Sequence, residues 1–156
     1  MSYDLQAVIA HESALRAATR DLSTARLASI GQGLSLMPMT DALFDTLTDG
    51  SGASTLRFRR LPGGFDETLA DWSAMGPVAY VEAEYFGGTG EQRAAVWDAG
   101  TIALAPLHVD EHQPFPPQGS PISQALRRLG AVAGAGEDEF SAVGLHRHRR
   151  NEAWIA

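Results

Sequence analysis

The stretch "YVEAEYFGGTGEQRAAVW", residues 80 to 97, has the pattern of a β-hairpin. Apolar residues alternate with Glu82 and Glu84, the chain reverses in a glycine-rich turn, and the alternation resumes as far as Trp97. This period of two places successive side chains on opposite faces of a sheet, and glycine supplies the positive φ angles that a tight reversal needs. "TIALAPL" follows a second reversal, which predicts a three-stranded meander over about residues 78 to 107.

A turn centred on Gly88 and Thr89 predicts the register of this hairpin. The predicted pairs are Glu84 with Arg93, Glu82 with Ala95, and Tyr80 with Trp97. Pairing Trp97 with Thr101 would extend the register and place Ile102 and Leu104 on the apolar face with Val96. The opposite, solvent-facing side of the sheet is predicted to carry Tyr80, Glu82, Glu84, Arg93 and Trp97.

The remaining segments predict helices and short strands around this meander. "YDLQAVIA" reads as a first strand, and helical signals cover about residues 11–22, 41–50, 65–76, 120–130 and the stretch after 137. The strongest helix start is Ser120 as N-cap with Pro121 at the first helical position. We therefore expect one α+β domain over residues 1–156, with a mainly antiparallel sheet, the meander at its centre, and helices covering one face.

Composition limits the classes of function. The 156-residue chain has no cysteine, which excludes disulfides and thiolate sites, and its charge of −7 argues against nucleic acid as a partner. Arg147, Arg149 and Arg150 make the C-terminal stretch basic, but this cluster is short. The absence of a long apolar run or a signal-like start predicts a cytoplasmic protein with no membrane contact. No cofactor motif is found, and exposed strand edges allow a homodimer.

Glu82 and Glu84 have three interpretations: a catalytic carboxylate pair, a surface for a partner, or the solvated face of the hairpin. An arginine opposite Glu84 would account for that residue without catalysis, because cross-strand ion pairs stabilise sheets. General acid and base roles would also need environments that separate the two pKa values, and the sequence shows none. His108, Asp110 and His112 alternate, but their spacing matches no metal signature, so neither catalytic nor metal-binding residues are assigned.

Three stretches together resemble a family of small uncharacterised bacterial proteins. They are "PVAYVEAEYFGGTGEQRAAVW", "SPISQALRRLG" and "DEFSAVGLHRHR", and they cover roughly the second half of the chain. In size and acidity the chain is similar to the immunity proteins that neutralise toxins. The similarity to immunity proteins, and not the family resemblance, implies a role in binding another protein.

Two classes of function follow from these observations. The first is a non-enzymatic protein-binding module, toxin-neutralising in its most specific form, that binds a cationic protein through an acidic surface. Its predicted binding residues are Tyr80, Glu82, Glu84, Glu91, Arg93, Trp97, Asp110 and Glu111. The alternative is a small enzyme or small-molecule-binding protein with a pocket near the proline-rich loop, lined by Glu82, Glu84, Arg93 and His108.

Overall fold

A computed structural model of the chain describes residues 2–51 and 58–156, and within these ranges six strands form one antiparallel sheet. The strands are β1 (Ser2–His11), β2 (Ala28–Ser29), β3 (Leu34–Pro38), β4 (Val78–Phe86), β5 (Thr89–Asp98) and β6 (Thr101–Val109). The α-helices are α1 (Glu12–Ala18), α2 (Asp41–Leu47), α3 (Phe65–Trp72), α4 (Pro121–Arg128) and α5 (Glu139–Ala142). The strand order is β2-β3-β1-β4-β5-β6, so β1 and β4 are central.

The predicted α+β class and the antiparallel meander are confirmed. The meander forms one half of the sheet, because β4 lies at the centre and β6 at the edge. Helices cover both faces of the sheet rather than one. On the first face, Val81 and Val96 pack with α4 and with Val143 and Leu145. The second face carries an independent core in which α1, α2 and α3 contribute Leu15, Leu43, Phe65 and Leu69.

The second core explains why one prediction about the sheet is wrong. Tyr80 and Trp97 were expected on a solvent-facing side, but they belong to this core and are 0 % and 4 % exposed. Phe65 and Phe58 contact the Tyr80 ring edge-on, with centroids 6.4 and 5.1 Å away. The aromatic side chains of Tyr80 in β4 and Trp97 in β5 therefore point into a helix-covered face.

The hairpin register differs from the predicted one by two residues. The turn consists of Gly87 and Gly88, with φ angles of 63° and 83°, and not of Gly88 and Thr89. Two positive φ angles in succession are typical of a type I′ turn, which two glycines form without strain. The observed pairs are Glu84 with Glu91, Glu82 with Arg93, Tyr80 with Ala95, and Val78 with Trp97. Because the shift is even, each side chain stays on its predicted face.

The register between β5 and β6 also differs, since two shifts interrupt it near Val96. Ile102 pairs with Trp97 and is 42 % exposed, whereas it was expected on the covered apolar face. Leu104 takes the place opposite Val96 and packs against the first core, so its predicted face is correct although its partner is not Ala94 as expected. Such bulges add a residue to one strand and change which face the following side chains reach.

Local signals placed most helix starts correctly. The Thr40 side chain accepts a hydrogen bond from the Leu43 N–H at the start of α2, and Ser120 caps α4 through the Ser123 N–H. The first helix ends at Ala18, earlier than expected, and the edge strand β2 is only two residues long. In the part of the chain that the structure describes, no helix is long and apolar enough to cross a membrane.

Candidate functional site

Glu82 is buried beneath the segment that precedes α3, residues 58–61, which we call the crossing segment. The residue is 3 % exposed, and its carboxylate accepts hydrogen bonds from the main-chain N–H groups of Arg59 and Arg60, each at 2.7 Å. Beside it, the Tyr80 hydroxyl donates a hydrogen bond of 2.6 Å to the Arg60 carbonyl. Glu82 and Tyr80 therefore fix the crossing segment against β4.

Burial dominates the titration of Glu82. It raises the pKa of the carboxyl above its ordinary value, although the two main-chain N–H groups and the charges of Arg93 and Arg59 act in the opposite direction. Both oxygens already accept main-chain donors. The arrangement is that of a structural carboxylate, and the expected position of Glu82 on a solvated binding surface is wrong.

The second glutamate, Glu84, lies at the surface opposite Glu91. The Nη1 atom of Arg59 contacts both carboxylates, at 3.0 Å from Glu91 Oε1 and closely to Glu84 Oε2. Like charges directly opposite one another destabilise a sheet, so the guanidinium between them offsets their repulsion. The predicted Glu84–Arg93 pair is replaced by this bridge from a distant segment.

Glu91 is the centre of the charged cluster. Its Oε1 atom also lies 2.9 Å from Arg93 Nη1, and its Oε2 atom lies 3.2 Å from His108 Nε2. Partial burial acts to raise the pKa of the Glu91 carboxyl, but the hydrogen bonds from Arg93 and His108 and the charges of Arg93 and Arg59 lower it overall. Glu91 is therefore held in its ionised form.

An open groove of about 440 Å³ runs past this cluster, between the hairpin tip and the loop that follows β6. Four carboxylates line it, with Arg59 and His112 as the basic residues beside them; the carboxylates belong to Glu84, Glu91, Asp110 and Glu111. Phe86 also lines the groove and is 80 % exposed. We call this feature the acidic groove.

A second depression, of about 330 Å³, lies on the other side of the hairpin tip. It shares Asp110 and Glu111 with the acidic groove and adds Phe115, which is 50 % exposed. Two exposed phenylalanines thus flank one acidic rim. Scattered exposed apolar residues are common, but two aromatic rings around a charged cleft are typical of a contact surface.

The structure brings together half of the predicted binding residues. Those that line the acidic groove are Glu84, Glu91, Asp110 and Glu111. Arg93 is hydrogen-bonded to Glu91 and so lies beside the groove. Tyr80, Glu82 and Trp97 are buried and cannot contact a partner. Of the four residues expected around an enzyme pocket, only Glu84 lines the groove.

Sequence reasoning missed Arg59 and Phe115 as site residues. Arg59 reaches the hairpin from a segment that is 25 residues away from Glu84 along the chain, and no local pattern signals such a contact. Phe115 stands between two prolines in "QPFPPQG", a composition that indicates an exposed loop. This composition was the one sequence signal that could have identified Phe115 as an exposed residue.

Of the alternating histidines, His108 lies in β6, and His112 belongs to the turn that follows this strand. Asp110 Oδ1 accepts the His112 N–H at 2.9 Å, and the Asp110 N–H donates to Gln113 Oε1 at 2.9 Å. His148 lies elsewhere, packed edge-on against Trp154 with ring centroids 4.7 Å apart. Among the described residues, no group of three or more histidine, aspartate or glutamate side chains is placed to hold a metal ion.

A comparison with known proteins finds no matching family model, no matching curated protein and no matching solved structure, so a proposal of function rests on the geometry of the groove.

Proposed function

We propose that the protein is a non-enzymatic binding module whose acidic groove receives a basic segment of a partner protein. The observation that carries this proposal is the 80 % exposure of Phe86 beside four carboxylates in one open groove. The resemblance to toxin-neutralising immunity proteins suggests a toxin as the most specific form of the partner.

Charge supports a cationic partner. The chain has a net charge of −7, and the groove gathers four of its carboxylates against Arg59 and His112. Clustered charge of one sign speeds the encounter with an oppositely charged protein and selects against partners of the same sign. The binding rate should therefore fall as salt is added.

The two exposed phenylalanines supply the apolar part of the contact. Protein interfaces derive most of their affinity from a few buried aromatic or arginine side chains, and the surrounding charges contribute mainly specificity. Phe86 lines the groove itself and Phe115 lines the depression beyond the hairpin tip. A partner that covers both would bury apolar surface on each side of the acidic rim.

The enzyme alternative has less support from the geometry. Glu82 accepts two main-chain N–H groups, and Glu84 and Glu91 share the Arg59 guanidinium. The closest approach to a catalytic arrangement is the 3.2 Å contact between His108 and Glu91. Glu91 lines the acidic groove but His108 does not, so the His108 imidazole of this pair does not face a substrate there.

The test begins with a partner captured on the immobilised protein, purified, and titrated by calorimetry and stopped-flow mixing at several salt concentrations. Glu111→Lys should slow association, because Glu111 is exposed on the groove. Phe86→Ala should weaken binding by about 1 kcal/mol or more, mainly through faster dissociation.

The matched controls are a charge reversal and a truncation of an exposed apolar side chain, both away from the groove. Glu67→Lys reverses an exposed charge on α3, and Met75→Ala truncates a side chain that is 66 % exposed. Equal effects of the groove and control variants, or binding that does not respond to salt, would refute the proposed groove. Turnover of a small substrate that is lost on His108→Gln would favour the enzyme alternative.

A further inference from the structure

Arg59 occupies the acidic groove from within the chain, and we propose that an arginine of the partner takes its place between Glu84 and Glu91. The Arg59 guanidinium is thus an autoinhibitory contact that an incoming guanidinium displaces. This inference rests on the function proposed above. It adds that the partner contacts the groove through an arginine, and that this arginine competes with Arg59 for the carboxylates of Glu84 and Glu91.

The need for a cation at this position is built into the sheet. Glu84 and Glu91 are direct cross-strand partners in β4 and β5, and both face the groove. Two carboxylates in this arrangement repel each other unless a positive group lies between them. Arg93 and His108 contact only Glu91, whereas Arg59 Nη1 contacts both carboxylates.

The Arg59 side chain can leave without unfolding its segment. Its main-chain N–H is held by the buried Glu82, and the next residue is held through its N–H by Glu82 and through its carbonyl by Tyr80. The Arg59 side chain is 50 % exposed, and the Glu84 side chain is 51 % exposed. The Arg59–Glu84 pair is exposed on both sides, and such pairs contribute little to stability. The Glu91 side chain is only 22 % exposed, but it also contacts Arg93 and His108, so it is not left unpaired when Arg59 leaves.

A guanidinium fits this exchange better than an ammonium group. Arg59 makes both contacts through one nitrogen, Nη1. A guanidinium keeps further N–H donors for neighbouring acceptors and is more weakly hydrated than an ammonium group, so it loses less on leaving water. Glu91 keeps its contacts with Arg93 and His108 after Arg59 leaves, so its carboxylate stays oriented to accept the guanidinium of the partner's arginine. The partner's residue should therefore be arginine rather than lysine.

The test uses two fluorescein-labelled peptides, hexa-arginine and hexa-lysine, and fluorescence anisotropy at low and moderate salt. Arg59→Gln removes the internal competitor and one positive charge. Arg128→Gln on α4 makes the same change of charge on the opposite face of the sheet, at an exposed residue. We expect Arg59→Gln to bind hexa-arginine several-fold more tightly than Arg128→Gln, and wild type to prefer hexa-arginine over hexa-lysine.

A direct readout comes from the arginine Nε–H resonances, in which the Arg59 signal is assigned by its loss in Arg59→Gln. Saturation with hexa-arginine should move this signal toward that of a solvent-exposed arginine. Equal affinities of Arg59→Gln and Arg128→Gln, or weaker binding by Arg59→Gln, would overturn the displacement while leaving the groove as a binding site. If wild type and both variants fail to bind hexa-arginine at low salt, the displacement and the proposed function are both overturned.

Discussion

The carboxylate of Glu82 holds two main-chain N–H groups of the crossing segment while almost completely removed from water. Glu82→Gln replaces one acceptor oxygen by an amide NH2 group, which then faces a main-chain donor. We expect a loss of about 1–3 kcal/mol in the free energy of unfolding, measured by urea denaturation at mildly acidic pH. Glu84→Gln is the control, because that half-exposed side chain should change stability by less than about 1 kcal/mol.

The same residue predicts a dependence of stability on pH. Since burial raises the pKa of Glu82 in the folded protein, the folded state retains a proton that the unfolded chain has lost. The associated stability is fully present below the ordinary glutamate pKa and is lost as the pH rises through the raised value. The stability difference between wild type and Glu82→Gln should therefore shrink over this window, in parallel urea titrations. A difference that grows with pH would contradict the raised pKa.

At the scale of the elements, the β4–β5 hairpin depends on Gly90 more than on its turn glycines. A Cβ atom at Gly90 would lie 1.9 Å from the Glu84 carbonyl oxygen and 2.6 Å from Tyr85 Cα, both main-chain atoms of β4. Gly90→Ala should lower the free energy of unfolding by about 1–3 kcal/mol or more, measured by thermal denaturation. Gly88→Asn should be tolerated, since its space is open and asparagine accepts a positive φ; equal destabilisation would refute the assigned turn.

Elements were more predictable from sequence than contacts between them. The alternation in β4 and β5 assigned the two faces correctly even though the register differed by two residues, because a period of two is insensitive to an even shift. It did not indicate that the second face is covered, since the covering helices α1, α2 and α3 come from earlier in the chain. Glu82 looked solvated for the same reason: its partners, the Arg59 and Arg60 amides, arrive through tertiary contact.

At the scale of the whole molecule, the residues after α5 join β1 to the end of β3 by hydrogen bonds. Asn151 accepts the Gln6 N–H at 3.0 Å and donates to the Gln6 side chain and to the Met39 carbonyl, at 3.0 and 3.2 Å. Asn151→Ala should reduce the free energy of unfolding by about 1–3 kcal/mol, because it leaves the partly buried Gln6 N–H and the Met39 carbonyl without these partners. Glu152→Ala, at the exposed neighbouring position, is the control for calorimetric melting. Similar melting temperatures for the two variants would refute this role.

The central position of β1 also determines when the protein can fold during synthesis. β1 precedes the other described strands, yet one of its neighbours, β4, begins only at Val78, and the Asn151 contacts to Gln6 and Met39 join residues 145 and 112 positions apart along the chain. Contacts this distant along the chain slow folding, because a long loop must close before they form. β3 can pair with one edge of the apolar β1 early, but the other edge stays unpaired until Val78–Phe86 has been synthesised. The yield in cells should therefore depend on chaperones that shield this edge.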